Sequence, residues 1–137
     1  MTKAEPDETP SIDATIRFRE AYLAADLRRM RELLTPHCYL LAAGAGPLAG
    51  RHDGPEGVVA FARQLRALTD GTFRPRGDEA WDVAVSKYHA FLYQSFAWQA
   101  EGQDRSSHEV WLLAFRDGKV ARMFQYLEDP APYSELA

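Results

Sequence analysis

The hydrophobic period of this sequence changes near Gly71, and this change limits the possible folds more than any other feature. Up to Gly71, apolar residues recur every three or four positions, as they do along amphipathic helices. After it they recur at about every second position, as they do along β-strands. Helices followed by hairpin-connected strands are typical of the α+β class, and 137 residues is the length of one domain. We therefore predict a single α+β domain whose curved antiparallel sheet wraps around its helices.

Capping and breaking residues divide the helical half into three helices. Thr9-Pro10 can begin the first helix, and Asp26 is the predicted N-cap of the second, which Thr35-Pro36 ends. A third helix begins at Asp53-Gly54-Pro55 and ends at Asp70-Gly71. The predicted strands lie near residues 37–43, 79–86, 88–100, 105–116 and 119–128.

The ends of the chain differ from its middle in composition. The segment MTKAEPDETP is acidic and almost free of large apolar side chains, which predicts a disordered tail over residues 1–11. A single domain over 12–130 and a C-terminal extension over 131–137 follow. The first residues lack the apolar core of a signal peptide, and no apolar run approaches the roughly 20 residues that span a bilayer. We expect a cytoplasmic protein that does not enter a membrane.

Charge and cysteine content argue against several kinds of partner. Sixteen basic and twenty acidic residues give a net charge of −4, without a basic stripe that could neutralise phosphates, so nucleic acid is not an expected partner. Cys38 is the only cysteine, which excludes an internal disulfide and multi-cysteine zinc patterns. The four histidines do not converge, and no phosphate-binding glycine spacing is present. We predict neither a metal site nor a cofactor.

The hairpin turns predict which strand residues face the helices. A two-residue Asp117-Gly118 turn would pair Trp111 with Phe124 and Glu109 with Tyr126. A Gly102-Gln103 turn would pair Trp98 with Ser107 on the same face. A one-residue bulge in either hairpin would exchange the two faces beyond it. The predicted inner face carries Gln94, Phe96, Trp98, Glu109, Trp111, Phe124, Tyr126 and Glu128.

Glu109 is the sharpest catalytic candidate on this inner face. A carboxylate flanked by Phe96, Trp111 and Tyr126 would be desolvated, and its pKa would rise toward the range that suits a general acid or base. The alternative is a glutamate at a strand end that reaches solvent or pairs with Arg122.

The other polar and aromatic candidates each have a structural alternative. Tyr126 and Gln94 could orient a carbonyl or hydroxyl group, or could be satisfied polar groups within the core. Glu128 could be a second catalytic carboxylate at the pocket mouth, or could mark an exposed strand end. Trp98 and Trp111, like Phe96 and Phe124, could form a ligand platform or simply pack the core.

The opposite face of the sheet is also apolar, although an antiparallel sheet with one solvated face would alternate with polar residues. A second copy of the chain could cover such a surface through a two-fold axis. We therefore predict a homodimer through this outer face, centred on Phe91, Tyr93, Val110, Leu112, Ala114, Met123 and Leu127.

Four segments carry a resemblance to a known superfamily: residues 25–27 (Ala-Asp-Leu), 50–57, 115–120 (Phe-Arg-Asp-Gly-Lys-Val) and 126–129 (Tyr-Leu-Glu-Asp). In their order along the chain they resemble the nuclear transport factor 2-like superfamily, and within it the SnoaL-like and ketosteroid isomerase-like proteins. The resemblance implies a cystatin-like cone, in which the sheet surrounds three N-terminal helices and a conical pocket opens between them. It also implies dimers that pack sheet to sheet.

The catalytic residues of these relatives do not carry over to this chain. The resemblance places the oxyanion tyrosine of the ketosteroid isomerases at Phe18, their aspartate base at Ala42 and their second acid near Trp111. The Arg-x-Asp pair of the limonene epoxide hydrolase-like proteins falls on Gln94 and Phe96, although their C-terminal aspartate falls near Glu128. Phe18 and Ala42 are therefore expected to line the pocket without taking part in either reaction.

Two functions remain open from the sequence. One is a SnoaL-like cyclase or isomerase that acts without a cofactor on a small hydrophobic carbonyl compound, plausibly in polyketide metabolism, by acid–base chemistry at Glu109. The other is a module that binds a hydrophobic ligand or supports a partner enzyme, since the transferable catalytic residues are missing. Pocket shape alone does not decide between them.

Overall fold

The computed structural model describes residues 8–136 and confirms the α+β class. The helices are α1 (Ile12–Leu23), α2 (Leu27–Glu32), α3 (Gly54–Leu68) and α4 (Ala131–Ser134). The strands are β1 (Leu34–Ala42), β2 (Gly50–Asp53), β3 (Arg74–Pro75), β4 (Asp82–Val85), β5 (Ala90–Ala100), β6 (Gln103–Arg116) and β7 (Lys119–Leu127). Segments β2, β3 and α4 were not predicted, because each is short and lacks a run of alternating or helically spaced apolar residues.

The helices begin at residues whose side chains can bind free backbone N–H groups. Asp26 is the N-cap of α2, as predicted, and its carboxylate accepts a hydrogen bond from the Arg29 N–H at 3.1 Å. The predicted start at Thr9 is wrong by two residues, because Ser11 caps α1 and its hydroxyl accepts from the Ala14 N–H at 2.9 Å. Asp53 is the N-cap of α3, but its carboxylate binds Arg51 at 2.6 Å instead of the helix.

The seven strands form one curved sheet in the order β2-β1-β7-β6-β5-β3, with β4 also paired to β5. The prediction of a purely antiparallel sheet is wrong at one pair, because β1 runs parallel to β7. The end of α2 explains this: the Leu33 carbonyl accepts a hydrogen bond from the Val120 N–H at 2.8 Å. The next residue, Leu34, then begins β1 beside the first residues of β7, and the two strands run in the same direction.

A bulge at Ala121 overturns the predicted faces of β7. The turn at Asp117-Gly118 has the predicted form, and Phe115 pairs with Val120. The next pair is Ala114 with Arg122, so that Ala121 is left as an extra residue on β7. Because side chains alternate along a strand, this extra residue exchanges the two faces beyond it. Met123, Gln125 and Leu127 turn toward the helices, and Phe124 and Tyr126 turn away from them.

The hairpin between β5 and β6 also differs from its prediction, but each side chain stays on the predicted face of the sheet. Its turn lies at Glu101-Gly102, one residue earlier than predicted, and Trp98 pairs with Arg105 instead of Ser107. The register thus shifts by two residues, and a shift of two preserves the side-chain alternation. The predicted faces of β5 and β6 are therefore confirmed.

The core fills the space between the helices and the concave face of the sheet. Phe18 of α1 and Phe61 of α3 are each 1% exposed, and they pack in one cluster with Trp98, Trp111 and Leu113 of the sheet. Burying side chains of this size is the main favourable contribution to folding, at roughly 1.5–3 kcal/mol each.

Both ends of the described chain belong to the folded domain. The predicted tail is wrong for residues 8–11, because the Glu8 N–H donates to the Phe115 carbonyl at 3.2 Å and Pro10 is buried. The rest of the predicted tail, 1–7, lies outside the described residues. The predicted domain end at residue 130 is also too early, since Tyr133 and Leu136 are 2% and 4% exposed within the core. Within residues 8–136, no helix combines the length and apolar character needed to cross a membrane.

Candidate functional site

A single carboxyl group lies at the centre of the polar part of the core. Glu109 of β6 is 1% exposed, and four side chains donate hydrogen bonds to it. Its Oε1 accepts from Trp111 Nε1 at 2.5 Å and Gln125 Nε2 at 3.2 Å. Its Oε2 accepts from the hydroxyl groups of Ser107 at 2.6 Å and Tyr133 at 2.5 Å. We call these five residues the Glu109 cluster.

The strand period and the β7 bulge assemble this cluster. Ser107, Glu109 and Trp111 are alternate residues of β6 and therefore share the inner face of the sheet. Trp111 pairs with Gln125 across the β6–β7 ladder, and the bulge at Ala121 makes Gln125 face inward. The Gln125 Oε1 accepts from the Ala43 N–H at 3.1 Å, which leaves its amide nitrogen to donate to Glu109.

The two oxygens of Glu109 differ in what they can bind. Oε1 receives two N–H groups, from Trp111 and Gln125, that can only donate. Oε2 receives two hydroxyl groups, from Ser107 and Tyr133, each of which can rotate and accept instead. The cluster can therefore hold the carboxylate or the neutral acid, with the proton on Oε2 in the neutral form.

Burial raises the pKa of Glu109 above its ordinary value of 4.5, against the opposing effect of the four hydrogen bonds, of which that from Ser107 is the largest. Among residues 8–136, no cation is found within salt-bridge distance of this carboxylate. The same burial, together with the charge of Glu109, raises the pKa of Tyr133 well above its ordinary value. Tyr133 therefore remains a hydrogen-bond donor at physiological pH.

A second polar pair lies beside the cluster. Gln94 is opposite Glu109 in the β5–β6 ladder, and its Oε1 accepts from Arg19 Nε at 2.8 Å. The Arg19 guanidinium lies 3.9 Å from the centre of the Trp81 ring, in a cation–π geometry. Burial lowers the pKa of Arg19. Arg19 thus carries a positive charge into the same side of the core.

Two polar atoms near the cluster have no hydrogen-bond partner among the described residues: the Tyr22 hydroxyl and Trp98 Nε1. The Tyr22 ring packs edge-on against Trp111, with ring centres 4.8 Å apart, and the Trp98 ring lies 5.0 Å from that of Tyr133. A buried polar group without a partner costs about 1–3 kcal/mol, so a fold seldom retains one without a reason.

Besides Glu109, the structure places six of the predicted pocket residues inside the domain and three outside it. Phe124 is half-buried against Tyr39 on the outer face, and Tyr126 is 56% exposed there. Glu128 follows β7, and its side chain is 73% exposed at 3.6 Å from His108 Nδ1. Their predicted placement beside Glu109 is wrong, because the β7 bulge turns these side chains to the outer face of the sheet. The six inside are Phe18, Ala42, Gln94, Phe96, Trp98 and Trp111.

These six residues are all buried within the domain. Five surface cavities are described among residues 8–136, and Gln94, Trp98 and Trp111 line none of them. A cavity of about 220 Å³ lies nearest to the C-terminal segment, bordered by the end of α3, the β5–β6 turn and residues 132–136. Within the described chain, no three His, Cys, Asp or Glu side chains are grouped so that they could hold a metal ion.

Sequence reasoning missed three members of the cluster. Ser107 was on the predicted inner face but carries no chemical signature by itself. Gln125 was assigned to the outer face, and only knowledge of the bulge could have moved it. Tyr133 was placed in an extension beyond the domain, because α4 is too short to show a hydrophobic period.

Comparison with solved structures identifies the fold. Bal32a, from a soil-derived mobile gene cassette, superposes with a TM-score of 0.82 at 19% identity, over 90% of this chain and 93% of its own. A nuclear transport factor 2-like protein from Burkholderia xenovorans gives 0.75 at 15% identity, over 91% and 93%. A protein described as a SnoaL-like polyketide cyclase, from Jannaschia sp., gives 0.73 at 17% identity, over 99% and 97%.

A scan against protein-family models found no match, and a search of curated proteins found none. The structural similarities confirm the cystatin-like, nuclear transport factor 2-like fold that the sequence resembles. SnoaL-like polyketide cyclases and a ketosteroid isomerase-like protein are among its structural neighbours. Identities of 9–22% establish the fold and leave the reaction open.

Proposed function

We propose that this protein binds a small hydrophobic carbonyl compound at the Glu109 cluster and that Glu109 moves a proton to or from it, as in a SnoaL-like cyclase or isomerase. The observation that carries the proposal is the buried carboxyl group itself. Glu109 is held by four donors, with no cation within salt-bridge distance among residues 8–136, and its pKa is raised. Carboxyl groups with raised pKa values in dry surroundings are suited to general acid–base catalysis.

The two oxygens of Glu109 take different roles in this proposal. Oε1 stays fixed by Trp111 and Gln125, so the carboxyl group keeps its orientation while its charge changes. Oε2 takes the proton from a carbon atom next to the substrate carbonyl and returns it to another position. The hydroxyl group of Ser107 rotates from donating to accepting when Oε2 becomes protonated.

The close packing around the cluster favours a second candidate, a non-catalytic protein that binds a hydrophobic ligand or supports a partner enzyme. Phe18, Phe96, Trp98 and Trp111 are each at most 1% exposed, and they leave little room beside Glu109. A buried polar network of this kind can also serve only to fix one arrangement of the core.

Deuterium incorporation next to the carbonyl of small cyclic ketones, followed by NMR in D₂O, separates the two candidates. Wild-type protein is expected to catalyse this exchange, and Glu109→Gln is expected to reduce it by about 10²–10⁴-fold, the usual contribution of a general acid or base. Glu32→Gln, which removes an exposed carboxylate of α2, is the matched control. Exchange that is absent, or equal in all three proteins, would favour the binding protein.

We further propose that a second copy of the chain covers the outer face of the sheet. Cross-strand pairing aligns Phe91, Leu112, Phe124 and Leu41 in one row across β5, β6, β7 and β1. The adjacent row contains Tyr93, Val110 and Tyr126. The bulge places Phe124 and Tyr126 in the positions predicted for Met123 and Leu127, so the face remains apolar. A broad apolar face of this kind is uncommon on a monomer.

Leu112→Glu tests this interface, because it puts a charge at the centre of the longer row. Light scattering at micromolar concentration is expected to give a dimer for the wild type and a monomer for Leu112→Glu. Ile12→Glu, at an apolar residue that is 45% exposed on α1, is expected to remain a dimer. A monomeric wild type would overturn the interface.

A further inference from the structure

Tyr133 occupies the Glu109 cluster in the manner of a bound ligand. Its hydroxyl donates to Glu109 Oε2 at 2.5 Å, and its ring packs 5.0 Å from the ring of Trp98 at an angle of 53°. The residue is 2% exposed, and it comes from α4, a helix of four residues that lies beyond the last strand. A phenol group, supplied by the chain itself, is thus already bound at the proposed site.

The attachments of this C-terminal segment are few. The Ser134 hydroxyl accepts from the Ala45 N–H at 2.9 Å, and Arg105 contacts Glu135 at 3.4 Å with both side chains partly exposed. Exposed ion pairs of this kind contribute little to stability. The cavity of about 220 Å³ runs along one edge of the segment. Apart from the buried side chains of Tyr133 and Leu136, residues 130–136 are held mainly by the packing of Pro130 and Ser134 against the loop at Gly44 and Gly46.

The two polar atoms without partners lie around the same ring. Trp98 Nε1 belongs to the ring that packs on Tyr133, and the Tyr22 hydroxyl is close enough to Tyr133 to influence its pKa. The phenol ring of Tyr133 leaves Trp98 Nε1 without a partner among residues 8–136, whereas a ligand with an additional oxygen atom could accept a hydrogen bond from it. The interior thus holds one acceptor that Tyr133 fills and, in the Trp98 indole, one donor that it does not.

We infer that residues 130–136 form a displaceable cap, and that Tyr133 stands in for a ligand that carries a hydroxyl group on a flat ring, a phenol or a cyclic enol. The ligand displaces Tyr133, donates a hydrogen bond from its own hydroxyl group to Glu109 Oε2, and packs its ring against the ring of Trp98. This explains why the interior is filled when the cap is closed. The inference rests on the proposed binding at the Glu109 cluster but not on catalysis there.

Binding of p-cresol, the side-chain analogue of tyrosine, tests the inference in three full-length proteins. Tyr133→Ala opens a space for the phenol ring of p-cresol, and apolar cavities of this size bind small aromatic molecules. Tyr133→Phe keeps the ring but removes the hydrogen bond to Glu109, so its cap opens more easily without a new cavity. A closed cap lowers the apparent affinity by the fraction of open protein. Calorimetry is therefore expected to rank the affinities as Tyr133→Ala, then Tyr133→Phe, then wild type.

We expect Tyr133→Ala to bind p-cresol at least about tenfold more tightly than the wild type. Toluene, which lacks the hydroxyl group, is the matched ligand and is expected to bind more weakly than p-cresol to all three. With p-cresol bound, carboxypeptidase should release residues up to Leu136 from the wild type several times faster, because Leu136 leaves the core with the cap.

Two results would overturn the inference. If only Tyr133→Ala binds p-cresol, and the release of Leu136 from the wild type does not change, residues 130–136 are a permanent part of the core. If none of the three proteins binds it, or toluene binds equally well, the site does not select a ring with a hydroxyl group. Deuterium exchange by the wild type would support acid–base chemistry at Glu109 in either case, so the two proposals can fail separately.

Discussion

Glu109→Gln is expected to make the protein more stable at neutral pH, although it removes the proposed catalytic group. Burial raises the pKa of Glu109 in the folded state, so the folded protein holds this proton more tightly than the unfolded chain does. Below the ordinary value of 4.5 the group is neutral in both states and contributes nothing. As the pH rises from there toward the raised pKa, the wild type loses stability, by up to about 1.4 kcal/mol per pH unit. Above the raised pKa, Glu109 is ionised in both states and causes no further loss of stability as the pH rises.

A glutamine at this position satisfies the cluster without a charge. Its oxygen can accept from Trp111 and Gln125, and its amide can donate to the hydroxyl oxygens of Ser107 and Tyr133. Urea unfolding between pH 4 and pH 8 measures the free energy of unfolding of Glu109→Gln and of the wild type. The other titrating groups are common to both proteins, so their contributions cancel in the difference. We expect the difference to grow with pH from about 4.5 upward. A constant difference, or a variant that is less stable throughout, would show that the carboxylate is not destabilised by burial.

Local signals predicted those parts of the fold that depend on neighbouring residues. Asp26 caps α2 because an aspartate at a helix start can bind the N–H group three residues later. The Asp117-Gly118 turn is set by its own backbone, with positive φ angles of 54° and 74° that glycine adopts readily and aspartate tolerates. The predicted faces of β5 and β6 are correct although the predicted turn position is wrong, because the register error is an even number of residues.

The β7 bulge could not be predicted, since nothing in its sequence marks Ala121. Both possible faces of β7 are apolar enough to be buried: Phe124 and Tyr126 in one register, Met123 and Gln125 in the other. The two registers differ in which side chain of β7 can donate a hydrogen bond to Glu109. Only the bulged register supplies the amide donor of Gln125 to the carboxylate. Satisfaction of a buried charge is a tertiary constraint that hydrophobic alternation does not show.

The position of Tyr133 depends on contacts that are distant along the chain. Its hydrogen bond joins residues that are 24 positions apart, and its ring packs on a strand that is more distant still. A four-residue helix has too few residues for a hydrophobic period, so the segment resembles an exposed terminus. The carboxyl group of Glu109 could thus be recognised from the sequence, but the group that closes its site could not.

The two buried tryptophans of the site are expected to respond differently to the same substitution. Trp111→Phe and Trp98→Phe remove the same atoms from side chains that are 1% and 0% exposed, so the loss of packing is similar. Trp111 Nε1 donates to Glu109 Oε1, whereas Trp98 Nε1 has no partner among residues 8–136. A hydrogen bond to a charged group contributes about 1.5–3 kcal/mol, and an unpartnered buried N–H costs about 1–3 kcal/mol.

Trp111→Phe should therefore lower the free energy of unfolding by about 3 kcal/mol more than Trp98→Phe does, measured by urea denaturation at pH 7. Repeating both substitutions in a Glu109→Gln background completes a double-mutant cycle. In the Glu109→Gln background, the difference between the two substitutions in unfolding free energy should be smaller, because a neutral amide oxygen binds the indole N–H less strongly than a carboxylate does. Equal costs for the two tryptophans in the wild-type background would mean that the indole of Trp111 contributes only its volume. The carboxyl group would then lack the fixed Oε1 on which the proposed proton transfer depends.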